Sequence, residues 1–324
     1  MYLCPKQSKK MKNPHAFPAP KYFNPEPQAI YSFWDMVNEA FLSKKIPSFK
    51  TENRYYPSQA SIDIKEKGRN VVKGSCMRRV YWEKTGEPTT NETDLDSLWK
   101  MESGNAISEM ICEFVKQRGV LVQVEVPFAD PDNKISGRVD LIYKHPVSEK
   151  LIGVEIKSVG DYIGRKGVVG GDFLSPKIKH LLQTIIYLDY FQRKMNIDVF
   201  EIVYFARCTG ERSVFRCTFG ENREAFIDGV PTGITPNMIY QRFAELNSFI
   251  ELKTLPSRDY QLQYDKETLK EMASLGLLTK KQTDVVKAGK KLVKGDYDCV
   301  ICPFKNKCWN LTSSNKEEPE NQNE

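Results

Sequence analysis

Three side chains near the middle of the chain have the types and spacing for phosphodiester chemistry: Asp140, Glu155 and Lys157. Asp140 lies inside the apolar run GRVDLIY. Glu155 and Lys157 stand two apart inside LIGVEIKSV, with KHPVSEK between the runs. Both runs read as β-strands joined by a turn. Residues two apart in a strand share a face, which sets Val139, Leu141 and Tyr143 against Arg138, Asp140 and Ile142. In the second strand Ile152, Val154 and Ile156 oppose Glu155 and Lys157. Charges in strands this apolar cost free energy unless they pair or bind something. Adjacent strands lie about 4.8 Å apart, so Asp140 and Glu155 can converge on one divalent cation. Mg²⁺ takes oxygen ligands at about 2.1 Å and keeps several waters. It would polarise a phosphate and lower the pKa of a bound water. Lys157 would orient or deprotonate that water, or stabilise the charge on the phosphorane. A solvent-facing strand with an ordinary Glu–Lys face satisfies the spacing alone equally well. A glycosidase carboxylate pair fits less well, because it leaves the lysine without a role.

The surrounding elements can be read from the same chain. DLDSLWKMESGNAISEMICEFVKQRG, from Asp94, gives a long helix or two, ended at Gly119. Its apolar face is expected to be Ala106, Ile107, Met110, Ile111 and Phe114. VLVQVEVPFA is a strand. A Gly-rich loop follows Ser158, with Arg165 and Lys166 suited to phosphates or simply to a flexible surface. SPKIKHLLQTIIYLDYFQRK is a helix, with Ser175 expected at the N-cap and Pro176 at the first helical position. Gln183 and Tyr187 are four apart and share one side of it. VFEIVYFARC and SVFRCTFG are strands around a TGER turn. Helix, three strands, helix, two strands is an α/β order with a mixed central sheet flanked by helices. Downstream, ITPNMIYQRFAELNSFIEL, ETLKEMASLGL and KKQTDVVKAGKKL are helical.

Composition sets the outer limits. At 324 residues, 40% hydrophobic and 28% charged, the chain has material for an ample core. No apolar run approaches the roughly 18 residues of a membrane span. The basic, Pro-rich N-terminus lacks the apolar segment of a signal peptide, so a cytoplasmic location and no membrane partner are expected. The formal net charge of +6 suits a polyanionic partner without requiring one. Residues 1–50 read as an extension, partly disordered, with one helix from Ala29 in which Ile30, Phe33, Trp34, Val37 and Phe41 share a face. Residues 51–311 read as the main domain, and 312–324 as a disordered acidic tail.

Eight cysteines in a cytosolic chain are poor candidates for disulfides. Cys4, Cys112, Cys208 and Cys217 stand alone, as small core residues do. Cys299, Cys302 and Cys308 are clustered, and Cys76 opens a short helix far upstream. Four thiolates in this arrangement suit an iron–sulfur cluster or zinc. Such a centre would staple the C-terminal segment to the helix at Cys76 and close a very long loop.

Taken together, G-R-V-D, V-E-I-K-S and Gln183-T-I-I-Tyr187 resemble the RecB-like branch of the PD-(D/E)XK nucleases. The four cysteines resemble its iron–sulfur members, which include the AddB type and the CRISPR-associated exonucleases. The segments P-S…C-x-R-R-x-Y-W and C-P-F-x-x-x-C-W carry that likeness. The resemblance covers roughly residues 54–310 and implies a restriction-endonuclease-like core with a C-terminal helical and iron–sulfur segment. It implies catalytic roles for Asp140, Glu155, Lys157, Gln183 and Tyr187. Mg²⁺ or Mn²⁺ would be held by Asp140, Glu155 and the backbone carbonyl of Ile156. Cys76, Cys299, Cys302 and Cys308 would hold a [4Fe–4S] cluster, with zinc as the lesser alternative. The family's G-x-x-x-H-E motif is matched by GNAISE, where Ser108 stands in place of the histidine and Glu109 becomes a candidate metal ligand. Arg78, Arg79, Tyr81, Arg138 and Lys166 are the candidates for backbone phosphates. Tyr187 could stack on a base, and Gln183 could hold a phosphate or Lys157. The implied activity is exonucleolytic, on single-stranded DNA ends. The implied partners are DNA and proteins of recombination, replication or CRISPR adaptation. The alternative is a non-catalytic DNA-binding subunit of such a complex.

Overall fold

The runs LIGVEIKSV and FEIVYFA are largely apolar, with Glu155, Lys157 and Glu201 their only charged residues, which suits strands covered by helices on both sides. In the computed structural model they are β5 (Leu151–Val159) and β6 (Phe200–Ala206), paired in parallel from Gly153↔Phe200 to Val159↔Ala206. A parallel pair needs a crossover, and α4 (Ile178–Met195) supplies it. The structure describes residues 33–43, 54–66, 68–91, 93–160, 167–170 and 174–311. The expected disorder at either end, and Lys166, fall outside those residues.

The chain divides into two units, Met1–Glu52 and Asn53–Glu324. In the first, α1 (Phe33–Ser43) is an 11-residue helix that leaves Phe33, Trp34, Met36 and Leu42 exposed. The second unit opens with a hairpin of β1 (Ser61–Glu66) and β2 (Arg69–Gly74), followed by α2 (Met77–Thr85) and α3 (Leu95–Gln117). Then come β3 (Leu121–Asp130), β4 (Ile135–Lys144), β5, α4, β6, β7 (Arg212–Phe219), β8 (Ala225–Ile227) and β9 (Val230–Pro231). They form one seven-stranded mixed sheet in the order β3-β4-β5-β6-β7-β8-β9, in which β5–β6 is the parallel pair. The helices α5 (Pro236–Glu251), α6 (Lys266–Ser274), α7 (Lys280–Lys287), α8 (Tyr297–Val300) and α9 (Lys305–Trp309) complete it. Among the described residues no helix is long and apolar enough to cross a membrane.

The sheet packs a large core on the side of α4 and α5, and a smaller one on the side of α3. The helix α4 is buried over most of its circumference, from Leu181 to Phe191. Gly153 is fixed by packing: a Cβ there would lie 2.3 Å from the Phe200 ring.

Four expectations are corrected here. Leu141 and Tyr143 face α3, whereas Val139 joins the larger core with Ile142. The simple alternation breaks next to Asp140. Secondly, α3 is a single helix that packs through Ile111, Cys112 and Val115, leaving Met110 and Phe114 exposed. The contact stripe is turned by about one residue because the small Gly104 faces the sheet: a Cβ there would come 3.0 Å from Ser158 Oγ. Thirdly, α4 begins two residues later than expected, with Lys177 as N-cap. The Lys177 amide donates to the Tyr204 hydroxyl at 3.0 Å, so a core side chain sets that boundary. Finally, within the Gly-rich loop, Val168 and Val169 are buried in the core, and the Ser213 hydroxyl donates to the Val168 carbonyl. That part of the loop is anchored.

Candidate active site

The strands β4 and β5 pair antiparallel from Lys144↔Leu151 to Leu141↔Val154. Beyond that point the Ile156 N–H donates to Asp140 Oδ2 at 2.6 Å. A side chain thus takes over from the ladder where the strands part. The parting leaves room for the neighbouring residue on β5, Glu155, whose side chain is 3% exposed.

Glu155 is held from two sides. Gln183 on α4 donates to its Oε1 at 2.8 Å, and Lys157 forms an ion pair with the same oxygen. The other oxygen, Oε2, is buried with no hydrogen-bond partner. A buried carboxylate oxygen without a donor is costly, and a bound cation would meet it. Burial raises the Glu155 pKa to about 7, while the Lys157 cation works against that rise. Burial also raises Asp140, opposed by the Ile156 amide and by Lys157.

Gln183 and Tyr187 are positioning residues. The Gln183 amide also donates to the Tyr187 hydroxyl at 2.8 Å, and that hydroxyl donates to the Arg138 carbonyl at 3.0 Å. A chain of hydrogen bonds therefore runs from β4 through α4 to Glu155. Tyr187 packs edge-on against Phe128, with ring centroids 5.5 Å apart, and is 2% exposed. It has no free face for a base, so the stacking role does not hold. Gln183 holds Glu155 and Tyr187, in place of a phosphate or Lys157.

The remaining candidates divide. Glu109 is exposed on α3, and among the described residues no group of three His, Cys, Asp or Glu side chains is arranged for a metal. Glu109 does not join Asp140 and Glu155. Ser108 turns its hydroxyl back to the Gly104 carbonyl at 3.3 Å. Arg138 pairs with Glu125 at 3.2 Å. Arg78 donates to the Pro256 carbonyl at 2.7 Å and has Nη1 3.9 Å from Cys308 Sγ. Arg79 pairs with Glu83 at 2.7 Å. Arg78 and Arg79 therefore belong to the cysteine site and do not form a free phosphate-binding surface.

Two residues near the carboxylates escaped the sequence reading. Glu125 adopts φ +49° on β3. Its neighbours pair as Val124↔Leu141 and Val126↔Val139, which sets Glu125 opposite Asp140. Its charge raises the pKa of both Asp140 and Glu155. The register of β3 against β4 brings it there, and that pairing is not given by spacing within either strand. His180 lies one turn before Gln183, with Nδ1 2.7 Å from the Tyr204 hydroxyl. Burial, then the Lys157 charge, lowers its pKa to about 3, so it is neutral. Its place three residues before Gln183 on one helix was a readable signal.

Cys76, Cys299, Cys302 and Cys308 line one small cavity together with Arg78 and Arg79. All four are free thiols. Cys76 is the N-cap of α2, and Asp259 accepts from the next amide, Met77, at 2.6 Å. The C-terminal segment is also tied to the loop after α2. The Thr90 and Asn91 amides both donate to the Pro303 carbonyl, at 2.8 and 2.9 Å, and Lys307 pairs with Glu87. Four thiols in one cavity, with guanidinium groups beside them, are the donor types of a tetrathiolate centre, although among the described residues no three His, Cys, Asp or Glu side chains, these cysteines included, are arranged to hold a metal.

No known family model and no curated protein matches the chain. A solved structure described as the crystal structure of SSO0001 is similar at 18% identity and a TM-score of 0.42. The match covers 69% of this chain and 89% of that one. A likeness at that level identifies neither a family nor an activity.

Proposed function

We propose that the chain is a metal-dependent DNA nuclease with a restriction-endonuclease-like core, of the RecB-like PD-(D/E)XK kind. The observation that carries this reading is the Glu155 carboxylate. It is buried, gripped at Oε1 by Lys157 and Gln183, and left with Oε2 unpartnered beside Asp140. That orphaned oxygen fits a divalent cation. Asp140, Glu155 and the Ile156 carbonyl would hold Mg²⁺ or Mn²⁺, which when bound supplies a Lewis acid and an acidified water. Lys157 sets a positive charge where phosphorane charge develops. Gln183 fixes the Glu155 carboxylate, as outer-shell partners of metal ligands do. The substrate is DNA, attacked from single-stranded ends.

Cys76, Cys299, Cys302 and Cys308 fit a tetrathiolate centre, read here as a [4Fe–4S] cluster with zinc as the lesser alternative. Its role is to staple the C-terminal segment to α2. The pathway partners are proteins of recombination, replication or CRISPR adaptation.

One observation favours a second reading, a non-catalytic DNA-binding subunit. Ser108 faces back into its own helix, and no third His, Cys, Asp or Glu side chain accompanies the two carboxylates among the described residues. A digestion assay with Mg²⁺ or Mn²⁺ separates the two. The nuclease reading expects degradation by the wild type and none by Glu155→Gln. Tight binding without turnover in either metal supports the second reading.

A further inference from the structure

A second concave place in the molecule lies well separated in sequence from the carboxylates. Between α6 and α7 lies a cavity of about 360 Å³, within the usual range for small-molecule sites. Four lysines line it: Lys266, Lys270, Lys290 and Lys291. Lys266 and Lys270 are one turn apart on α6 and so share a face, where like charges oppose each other. Lys290 and Lys291 reach the cavity because the chain reverses at the end of α7. Gly289 takes φ +69°, and the Lys290 amide returns to the Val285 carbonyl at 3.1 Å. None of the four makes an ion pair with a described residue. The acid in the lining, Asp265, is spent on capping α6, with Oδ1 accepting from the Thr268 amide at 2.7 Å.

The interior of the cavity is apolar. Leu269, Val286 and Leu292 line it, and Leu269 is 5% exposed. Tyr264 lines it too, with its hydroxyl held by Asp296. A ligand that satisfies both parts needs an apolar body and a dianionic or repeated anionic group. Lysine ammonium groups act as point charges for phosphate, and the base and sugar of a nucleoside supply the apolar body. We propose that this cavity binds a nucleoside phosphate unit, either as a free nucleotide or within a single nucleic-acid strand. The lysines take the phosphate and the apolar lining takes the base or sugar. This inference does not rest on the hydrolytic reading of Glu155, and it concerns equilibrium binding alone.

The test is fluorescence anisotropy on the full chain in EDTA, which keeps hydrolysis silent. One arm uses a fluorescein-labelled oligothymidylate and the other a fluorescent adenosine triphosphate analogue. The proteins are wild type, Lys270→Gln/Lys290→Gln and Lys270→Arg/Lys290→Arg, all at exposed positions. If a strand is the ligand, the Gln pair lowers the slope of log K against log salt by about 1.4, at roughly 0.7 per lost phosphate contact. The Arg pair keeps the slope. If a free nucleotide is the ligand, the Gln pair weakens that probe by about a hundredfold, roughly tenfold for each of two charge-assisted hydrogen bonds. Two outcomes overturn the proposal. Neither probe responds to the Gln pair, or polyglutamate displaces the probe as well as an unlabelled strand does.

Discussion

The carboxylate of Asp140 accepts the backbone N–H of Ile156 at 2.6 Å, so one side chain both ends the β4–β5 ladder and faces the candidate cation site. The two duties separate under substitution. Asp140→Asn keeps an oxygen for the Ile156 amide but loses the charge. It should unfold close to wild type in urea while losing Mg²⁺ or Mn²⁺ binding by calorimetry. Asp140→Ala loses both and should cost a further ~1–3 kcal/mol, the penalty for a buried donor left unmade. Equal stability of the Asn and Ala variants would deny the structural duty.

Gln183 gives its amide to Glu155 and Tyr187 together. Removal in Gln183→Leu should lower metal affinity or turnover by about 10- to 100-fold, as loss of an outer-shell partner does. Tyr187→Phe removes the acceptor for one Gln183 N–H and the link to the Arg138 carbonyl but leaves the Gln183 bond to Glu155, and should have a smaller effect on activity. If Tyr187→Phe is the more damaging of the two, the hydrogen-bond chain does not run as described.

The pH dependence follows from Glu155. Its folded pKa of about 7 lies above the ordinary 4.5, so the folded protein holds a proton that the unfolded chain releases. The stability from this group is full below 4.5 and is lost as pH rises through about 7. In EDTA, wild type should therefore lose stability relative to Glu155→Gln across that window. Cation binding needs the ionised form and should strengthen over the same range, with proton release seen in buffers of different ionisation enthalpy. A flat difference between the two proteins from pH 4.5 to 7 would remove the buried-carboxylate account.

Much of this site was legible before the structure. Strand and helix periods put Glu155 with Lys157 and Gln183 with Tyr187 on shared faces, and the resemblance of their motifs to a nuclease family singled them out as one site. What those periods could not give was the break at Asp140, where Val139 and Leu141 pack on opposite sides of the sheet. Glu125 was hidden because its place opposite Asp140 comes from the pairing register of β3 and β4, which neither strand's own period supplies. Arg78 and Arg79 looked like phosphate ligands because sequence shows charge but not what consumes it. Folding brings Pro256, Glu83 and Cys308 to them from distant or neighbouring turns. The hairpin of β1 and β2, paired from Ser61↔Gly74 to Glu66↔Arg69, was missed although SIDIKE alternates, because its partner RNVVKG is short and does not. The order of the central elements was legible, since strand type and helix type change over cleanly there.

At the cysteine cavity, protein purified without oxygen should carry about four irons per chain with broad visible absorbance, as thiolate-bound clusters do. Cys302→Ser should lose the colour and loosen the C-terminal segment to proteolysis after α7. Arg78→Gln should keep the metal, because the arginine contacts a sulfur without being a ligand. Colourless protein with one zinc per chain would replace the cluster by its alternative.

The most direct measurement is digestion of end-labelled single-stranded DNA by wild type and Glu155→Gln, each with Mg²⁺, with Mn²⁺ and with EDTA. The account predicts degradation only by wild type and only with metal, with Lys157→Ala also inactive although both variants stay folded. Degradation that persists in EDTA, or that survives Glu155→Gln, would contradict it.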